Sequence, residues 1–172
     1  MIRLARPGDI DAVAAIYEAV HAEEEAGRAV IGWERGVYPT RATAEAALAA
    51  GELYVLERDG RVAASARINR AQLPEYASAA WRFPAPDDRV LVMHTLCVDP
   101  ACARSGCGRS FVAFYQDLAR AEGCTALRID TNARNARARA MYSSLGFREA
   151  GIVPCTFNGL PGVELVLLEK PV

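Results

Sequence analysis

The stretch Val90 to Gly108, VLVMHTLCVDPACARSGCG, constrains the fold of this chain more than any other. It opens with an apolar, largely β-branched run, Val90 to Val92 and then Leu96 to Val98, that is too short for a helix and predicts a buried strand. Asp99-Pro100 ends the run, and small residues lead to Gly106-Cys107-Gly108. Beyond the glycines, Phe111, Val112, Tyr115 and Leu118 recur at helical spacing. A strand, a glycine-rich turn and a helix N-terminus in succession present backbone N–H groups with no Cβ in the way, and the helix dipole adds about half a positive charge there. A phosphate or pyrophosphate suits such a turn, although a plain strand-to-helix connection would use glycine in the same way. Two nucleotide motifs are excluded. A P-loop needs Gly-Lys-Ser/Thr and the only lysine is Lys170, while the third glycine of the dinucleotide fingerprint would fall at Phe111.

The chain has 172 residues, enough for one domain with a sizeable core, and residues 1–172 are read as a single domain. A net charge of −1 gives no general basic field, so nucleic acid is not an expected partner. The five cysteines show neither a zinc spacing nor a disulfide framework: Cys97, Cys102 and Cys107 fall on a strand, a loop and a turn. They read as reduced thiols of a cytoplasmic protein that holds no metal. Neither an apolar leader nor a run of about 18 apolar residues occurs, so no membrane association is expected.

Along the chain, Ile2 to Ala5 predicts a short strand and Asp9 the cap of a helix that buries Ile10, Val13, Ile16, Tyr17 and Val20. Residues 27–41 are irregular yet rich in large side chains, and Thr43 is read as the cap of a short Ala-rich helix. Leu53 to Glu57 and Val62 to Asn69 flank Asp59-Gly60, the signal of a type I′ hairpin. Residues 71–88 form a second irregular insert, with Tyr76, Trp81 and Phe83 among prolines, that suits a substrate lid or a homodimer contact. Thr125 to Thr131 predicts a strand parallel to the one at 90–98, since a crossover helix returns the chain in the same direction. A helix over Asn135 to Leu145 should turn Ala136, Ala140 and Met141 inward. Strands Phe147 to Val153 and Val163 to Leu168, joined by a loop at Cys155 to Asn158, end the chain.

The order and spacing of residues over Val90 to Gly151 resemble the acyl-CoA-binding core of the GNAT N-acetyltransferases. The resemblance rests on the strand ending Leu96-Cys97-Val98-Asp99-Pro100, the turn Arg104-Ser105-Gly106-Cys107-Gly108-Arg109, the strand Leu127 to Thr131, Asn135, Tyr142 and Leu145-Gly146-Phe147. It implies an α/β fold with a central twisted mixed sheet flanked by helices. It also implies acetyl-CoA as donor, an amine on a small molecule or a peptide as acceptor, and an acyltransferase activity. In the family pattern Gln or Arg stands where this chain has Ala103, so either Arg104 next door compensates or the backbone amides suffice. By the resemblance, the backbone of Leu96, Cys97 and Val98 bonds the pantetheine arm, residues Arg104 to Arg109 hold the pyrophosphate, and Asn135 bonds the pantetheine near its thiol. The segment between the first two helices shapes the acceptor pocket, which places Trp33, Glu34 and Tyr38 at its border.

Transfer of an acetyl group to an amine needs a polarised thioester carbonyl, a deprotonated amine and a proton for the leaving thiolate. Tyr142, seven residues after Asn135, matches the family's general acid; a phenol with a pKa near 10 is protonated at neutral pH. Two residues are candidates for the base. Asp130 lies five before Asn135, where some members carry a carboxylate that acts through water. His94 lies on the preceding strand, and strand alternation puts it on one face with Leu96 and Val98. Acetylation of a protein N-terminus or side chain is the alternative activity, and a silent acyl-CoA-binding module the alternative class.

Overall fold

A computed structural model describes residues 1–172 and carries seven strands and four α-helices. The strands are β1 (Ile2–Leu4), β2 (Leu53–Arg58), β3 (Arg61–Asn69), β4 (Val90–Val98), β5 (Ala126–Asn132), β6 (Arg148–Phe157) and β7 (Leu160–Pro171). The helices are α1 (Ile10–Glu25), α2 (Arg41–Ala49), α3 (Cys107–Ala121) and α4 (Ala136–Ser144). The strands form one mixed sheet, hydrogen-bonded in the order β1-β2-β3-β4-β5-β7-β6. The chain gathers into two compact units, Met1–Ala29 with Trp33–Ile68 and Met93–Phe114, and Val30–Gly32 with Asn69–Val92 and Tyr115–Val172.

In the first unit β2 pairs antiparallel with both β1 and β3. Asp59 and Gly60 both take positive φ, 52° and 74°, as the Asp-Gly signal for a type I′ turn requires. The apolar stripe of α1 is the expected one, Ile10, Val13, Ile16, Tyr17 and Val20 all being buried. His21 joins them, its Nε2 lying 3.0 Å from the Pro39 carbonyl. Two capping expectations are corrected. Asp9 stands at the start of α1, but its carboxylate turns back to accept the Arg6 N–H at 2.7 Å and to pair with Arg3 at 2.7 Å, because an arginine on the neighbouring strand outcompetes a helix amide. Thr40, not Thr43, caps α2, its hydroxyl accepting the Thr43 N–H, while Thr43 Oγ1 accepts the Thr40 N–H at 3.0 Å. Thr43 thus fills the return half of a capping box.

In the second unit β7 lies between β5 and β6 and runs antiparallel to both. The expected loop at Cys155 to Asn158 is mostly strand: β6 continues to Phe157, and the turn is Asn158-Gly159, with φ of 50° and 85°. This is a second two-residue hairpin signal of the kind read correctly at Asp59-Gly60. The inward face expected for α4 is also wrong. Ala136 and Ala140 are exposed, and Tyr142 is the side chain that the helix buries. Residues 71–88 are fixed to the unit rather than loosely draped. Glu169, with no exposed surface, accepts the N–H groups of Arg82 and Phe83 at 2.8 and 3.0 Å and pairs with Arg148 at 2.5 Å. Each backbone donor thereby offsets part of the cost of burying a carboxylate. Trp81 lies 4.1 Å from the Arg128 guanidinium carbon, and Tyr76 sits among Val90, Val92, Ala126, Leu165 and Leu167.

Candidate active site

The loop between β4 and α3, in the first unit, is built from its carbonyls outward. Asp99 Oδ1 accepts the Ala101 N–H at 2.9 Å and starts a single turn over Pro100–Cys102, and the Asp99 N–H is tied to Ala63 O. Ser105 Oγ donates to Cys102 O at 2.6 Å, and Arg58, at the end of the β2–β3 hairpin, donates to Ser105 O at 3.2 Å. With these carbonyls held, the loop reverses through Arg104 (φ 62°) and Gly106 (φ 85°) and delivers Cys107 and Gly108 as the first residues of α3. Amides in the first turn of a helix have no partner further back in it. Ser105, Gly106 and Arg109 are exposed, Cys107 turns its side chain inward, and a Cβ built on Gly106 would meet nothing within 4 Å. The space over the loop is open, and the left-handed conformation at Gly106 demands glycine on its own account. Ala103 and Arg104 are both exposed, so either position is reachable by a bound anion.

Along the second half of β4 the regular alternation is broken. Thr95 has φ of 53°, a left-handed conformation that a β-branched residue adopts only under constraint. The expectation that His94, Leu96 and Val98 share one face therefore does not carry across Thr95, because alternation holds only for consecutive β residues. Burial follows: Val90 to Met93 are all buried, His94, Thr95 and Leu96 are half-buried, Cys97 is buried and Val98 half-buried. The Cys97 thiol is pushed far up by burial, so it stays protonated and inert. The Tyr38 hydroxyl hydrogen-bonds Thr95 Oγ1, and Trp33 meets Tyr38 edge-on at 5.8 Å. Two of the three residues expected at the acceptor border are thus gathered at the break in β4. Glu34 is exposed and contributes its carbonyl to the turn that returns to Tyr38.

The second unit holds Asp130, Asn135 and Tyr142. Tyr76 donates its hydroxyl proton to Asp130 Oδ2 at 2.8 Å, and loss of water around the carboxyl pushes its pKa up to about 6. The phenol's hydrogen bond acts against that rise, and the Glu75 charge adds to it. Asn135 caps α4 through Oδ1, which accepts the Ala138 N–H at 3.0 Å and leaves the amide Nδ2 as the donating group. Tyr142 is buried with its ring edge-on to Phe147 at 5.8 Å. Asn132 accepts the Arg134 N–H, and Gly32 lies so close to it that a Cβ would stand 2.1 Å from Asn132 Nδ2. One further feature was invisible in the sequence. The Tyr115 hydroxyl, expected only as an apolar position of α3, donates to Leu91 O on β4 at 2.5 Å and accepts the Arg128 N–H of β5 at 3.1 Å. The phenol thus links a carbonyl of β4 to an amide of β5.

The Acetyltransferase (GNAT) family model matches residues 14–147, and the chain belongs to that family. Its members are acetyltransferases that use acetyl-CoA as donor. Solved structures share the fold over nearly the whole chain. A GNAT-family acetyltransferase from Streptococcus agalactiae is 22% identical with a TM-score of 0.81, covering 100% of this chain and 95% of its own. A GCN5-related N-acetyltransferase from Kribbella flavida is 24% identical with a TM-score of 0.71 over 100% and 97%. The ribosomal-protein-alanine N-acetyltransferase of Brucella melitensis is 21% identical with a TM-score of 0.72 over 100% and 99%. No curated protein matches the sequence significantly. No helix is long and apolar enough to cross a membrane.

The residues present fit acetyl-CoA at the turn before α3, where a Cβ on Gly106 would meet nothing within 4 Å and the space over the loop is open to a pyrophosphate. CoA and acetyl-CoA are therefore expected to raise the melting temperature in a concentration-dependent way, by mass action on the folded state, whereas NAD at equal concentration leaves it unchanged. Thermal scans with each ligand check this.

Proposed function

We propose that the chain transfers the acetyl group of acetyl-CoA to a primary amine of a small molecule, within one domain of residues 1–172, with Asp130 as general base and Tyr142 as general acid. The observation that carries the assignment is the Tyr76–Asp130 pair: a carboxyl with its pKa near 6 is ionised at neutral pH yet basic enough to take a proton. Its Oδ2 accepts from Tyr76, which leaves Oδ1 to receive the amine's proton, directly or through a water. Acetyl-CoA, when bound, supplies the acyl group as an activated thioester. The opening amides of α3 and the exposed side chains of Arg104 and Arg109 hold its pyrophosphate, the backbone of Leu96 to Val98 aligns its arm, and Asn135 Nδ2 donates near its thiol end. The Tyr142 hydroxyl holds the proton that the departing thiolate needs. His94 has no proton to move in this scheme.

A small acceptor is supported by the cover over Asp130. The fixed insert brings Tyr76 and Trp81 over β5, and a half-buried carboxyl beneath them suits a slender amine better than a polypeptide. The five cysteines are unpaired, which supports a reducing, cytoplasmic setting. The test is a panel of small primary amines set against peptides with free N-termini, read as kcat/KM with acetyl-CoA. Small amines are expected to lead by at least about tenfold, roughly 1.4 kcal/mol of transition-state discrimination. A peptide at the top of the ranking would overturn the acceptor class, and no turnover on any amine would overturn the catalytic reading.

A further inference from the structure

We propose that Tyr76, carried by the insert at residues 71–88, is a positioning residue for the reaction: its hydroxyl fixes the orientation and the protonation of the Asp130 carboxylate. The proposal rests on the reading of Asp130 as the base. Tyr76 is almost wholly buried, in one core cluster with Val90, Val92, Ala126, Leu165 and Leu167. Its backbone is equally constrained, since Trp81 Nε1 donates to Tyr76 O at 2.9 Å and the two rings meet edge-on at 5.5 Å. Trp81 is itself held over the Arg128 guanidinium at 4.1 Å, and the next two residues are bonded through their N–H groups to buried Glu169. The insert is therefore a rigid arm with three anchors on the second unit, and the phenol at its tip makes a hydrogen bond of 2.8 Å to Asp130 Oδ2.

Packing alone would be served by phenylalanine; the hydroxyl is what reaches the carboxylate. Burial keeps the phenol protonated, so it donates at every working pH. Donation to the ionised carboxylate stabilises the charged form and fixes which oxygen remains for the amine. The other ionisable groups that act on Asp130 lie on the elements packed around it, Glu75 beside Tyr76 and Cys155 on β6, while its register partner on β7 is the apolar Leu167. None of these donates a hydrogen bond to the carboxyl. Tyr76 is its single bonded support.

The experiment compares wild type with Tyr76→Phe in two readouts: the pH profile of kcat/KM with one good amine, and the Asp130 carboxyl titration followed by carbon-13 NMR. The substitution is expected to raise the carboxyl pKa by about one unit, shift the acidic limb of the rate profile upward by the same amount, lower kcat, and leave acetyl-CoA affinity unchanged. Trp81→Phe, which keeps the phenol while removing the bond to the Tyr76 carbonyl and reducing the aromatic surface over Arg128, is expected to shift both in the same direction by less, and it keeps the test available should Tyr76→Phe fold poorly. An unchanged carboxyl pKa in a folded variant, or a uniform loss of rate at every pH, would overturn the positioning role. A carboxyl pKa that rises while the rate limb stays in place would instead overturn Asp130 as the base, and the role of Tyr76 in catalysis with it.

Discussion

Asp130→Asn is expected to lower kcat/KM at neutral pH by about 10²- to 10⁴-fold, the usual worth of a positioned general base, with acetyl-CoA binding unaffected. The loss should shrink at high pH, where free amine is already abundant. The same substitution should stabilise the fold. The folded protein holds the Asp130 proton more tightly than the unfolded chain, since the pKa is raised to about 6 by burial. The ionised carboxylate therefore opposes folding: the penalty is absent below about pH 4, grows as pH rises to about 6, and is complete above that. Each unit of the rise is worth about 1.4 kcal/mol, so the neutral asparagine is expected to gain about 2–3 kcal/mol at pH 8 and nothing at pH 4. Its amide oxygen can still accept the Tyr76 hydroxyl. Denaturant titrations at the two pH values check the gain, and a variant that is both less active and less stable at pH 8 would contradict the account. A group that costs stability while serving the reaction is the trade expected of an active site.

Tyr142→Phe is expected to lower kcat by roughly 10²-fold or more while the affinity for acetyl-CoA changes little. The ring is buried against Phe147, and phenylalanine keeps that contact, so the change removes a proton donor and leaves the packing. Steady-state kinetics with one amine, beside a binding titration with CoA, separate the two effects. An unchanged kcat would remove Tyr142 from the acid role.

Where local rules decide structure, the sequence was informative. Asp59-Gly60 specified its hairpin because only that turn satisfies two positive φ values between antiparallel strands, and the α1 stripe followed from periodicity. The strand–turn–helix at 90–121 was equally legible, since Asp99-Pro100 and the glycines mark both ends of the turn. Tertiary contacts settled the rest. Thr95 is a strand former by type, and nothing local announces a left-handed residue there; the constraint comes from its place in β4 and its bond to Tyr38. Tyr115 shows the period of an apolar helix face, yet its hydroxyl is the bridge between β4 and β5. Asp130 and Tyr76 are 54 residues apart, and no spacing rule links an aromatic among prolines to a carboxylate on a strand. The inward face of α4 was misread because alanines carry almost no directional signal.

The most direct test of the central claim sets the pH profile of kcat/KM for wild type beside those of Asp130→Asn and His94→Gln, with a single amine acceptor. The wild type should show an acidic limb with a midpoint near pH 6, the pKa to which burial brings the Asp130 carboxyl. His94→Gln should retain that limb, and Asp130→Asn should lose it. A limb that survives in Asp130→Asn and disappears in His94→Gln would contradict the assignment of the base.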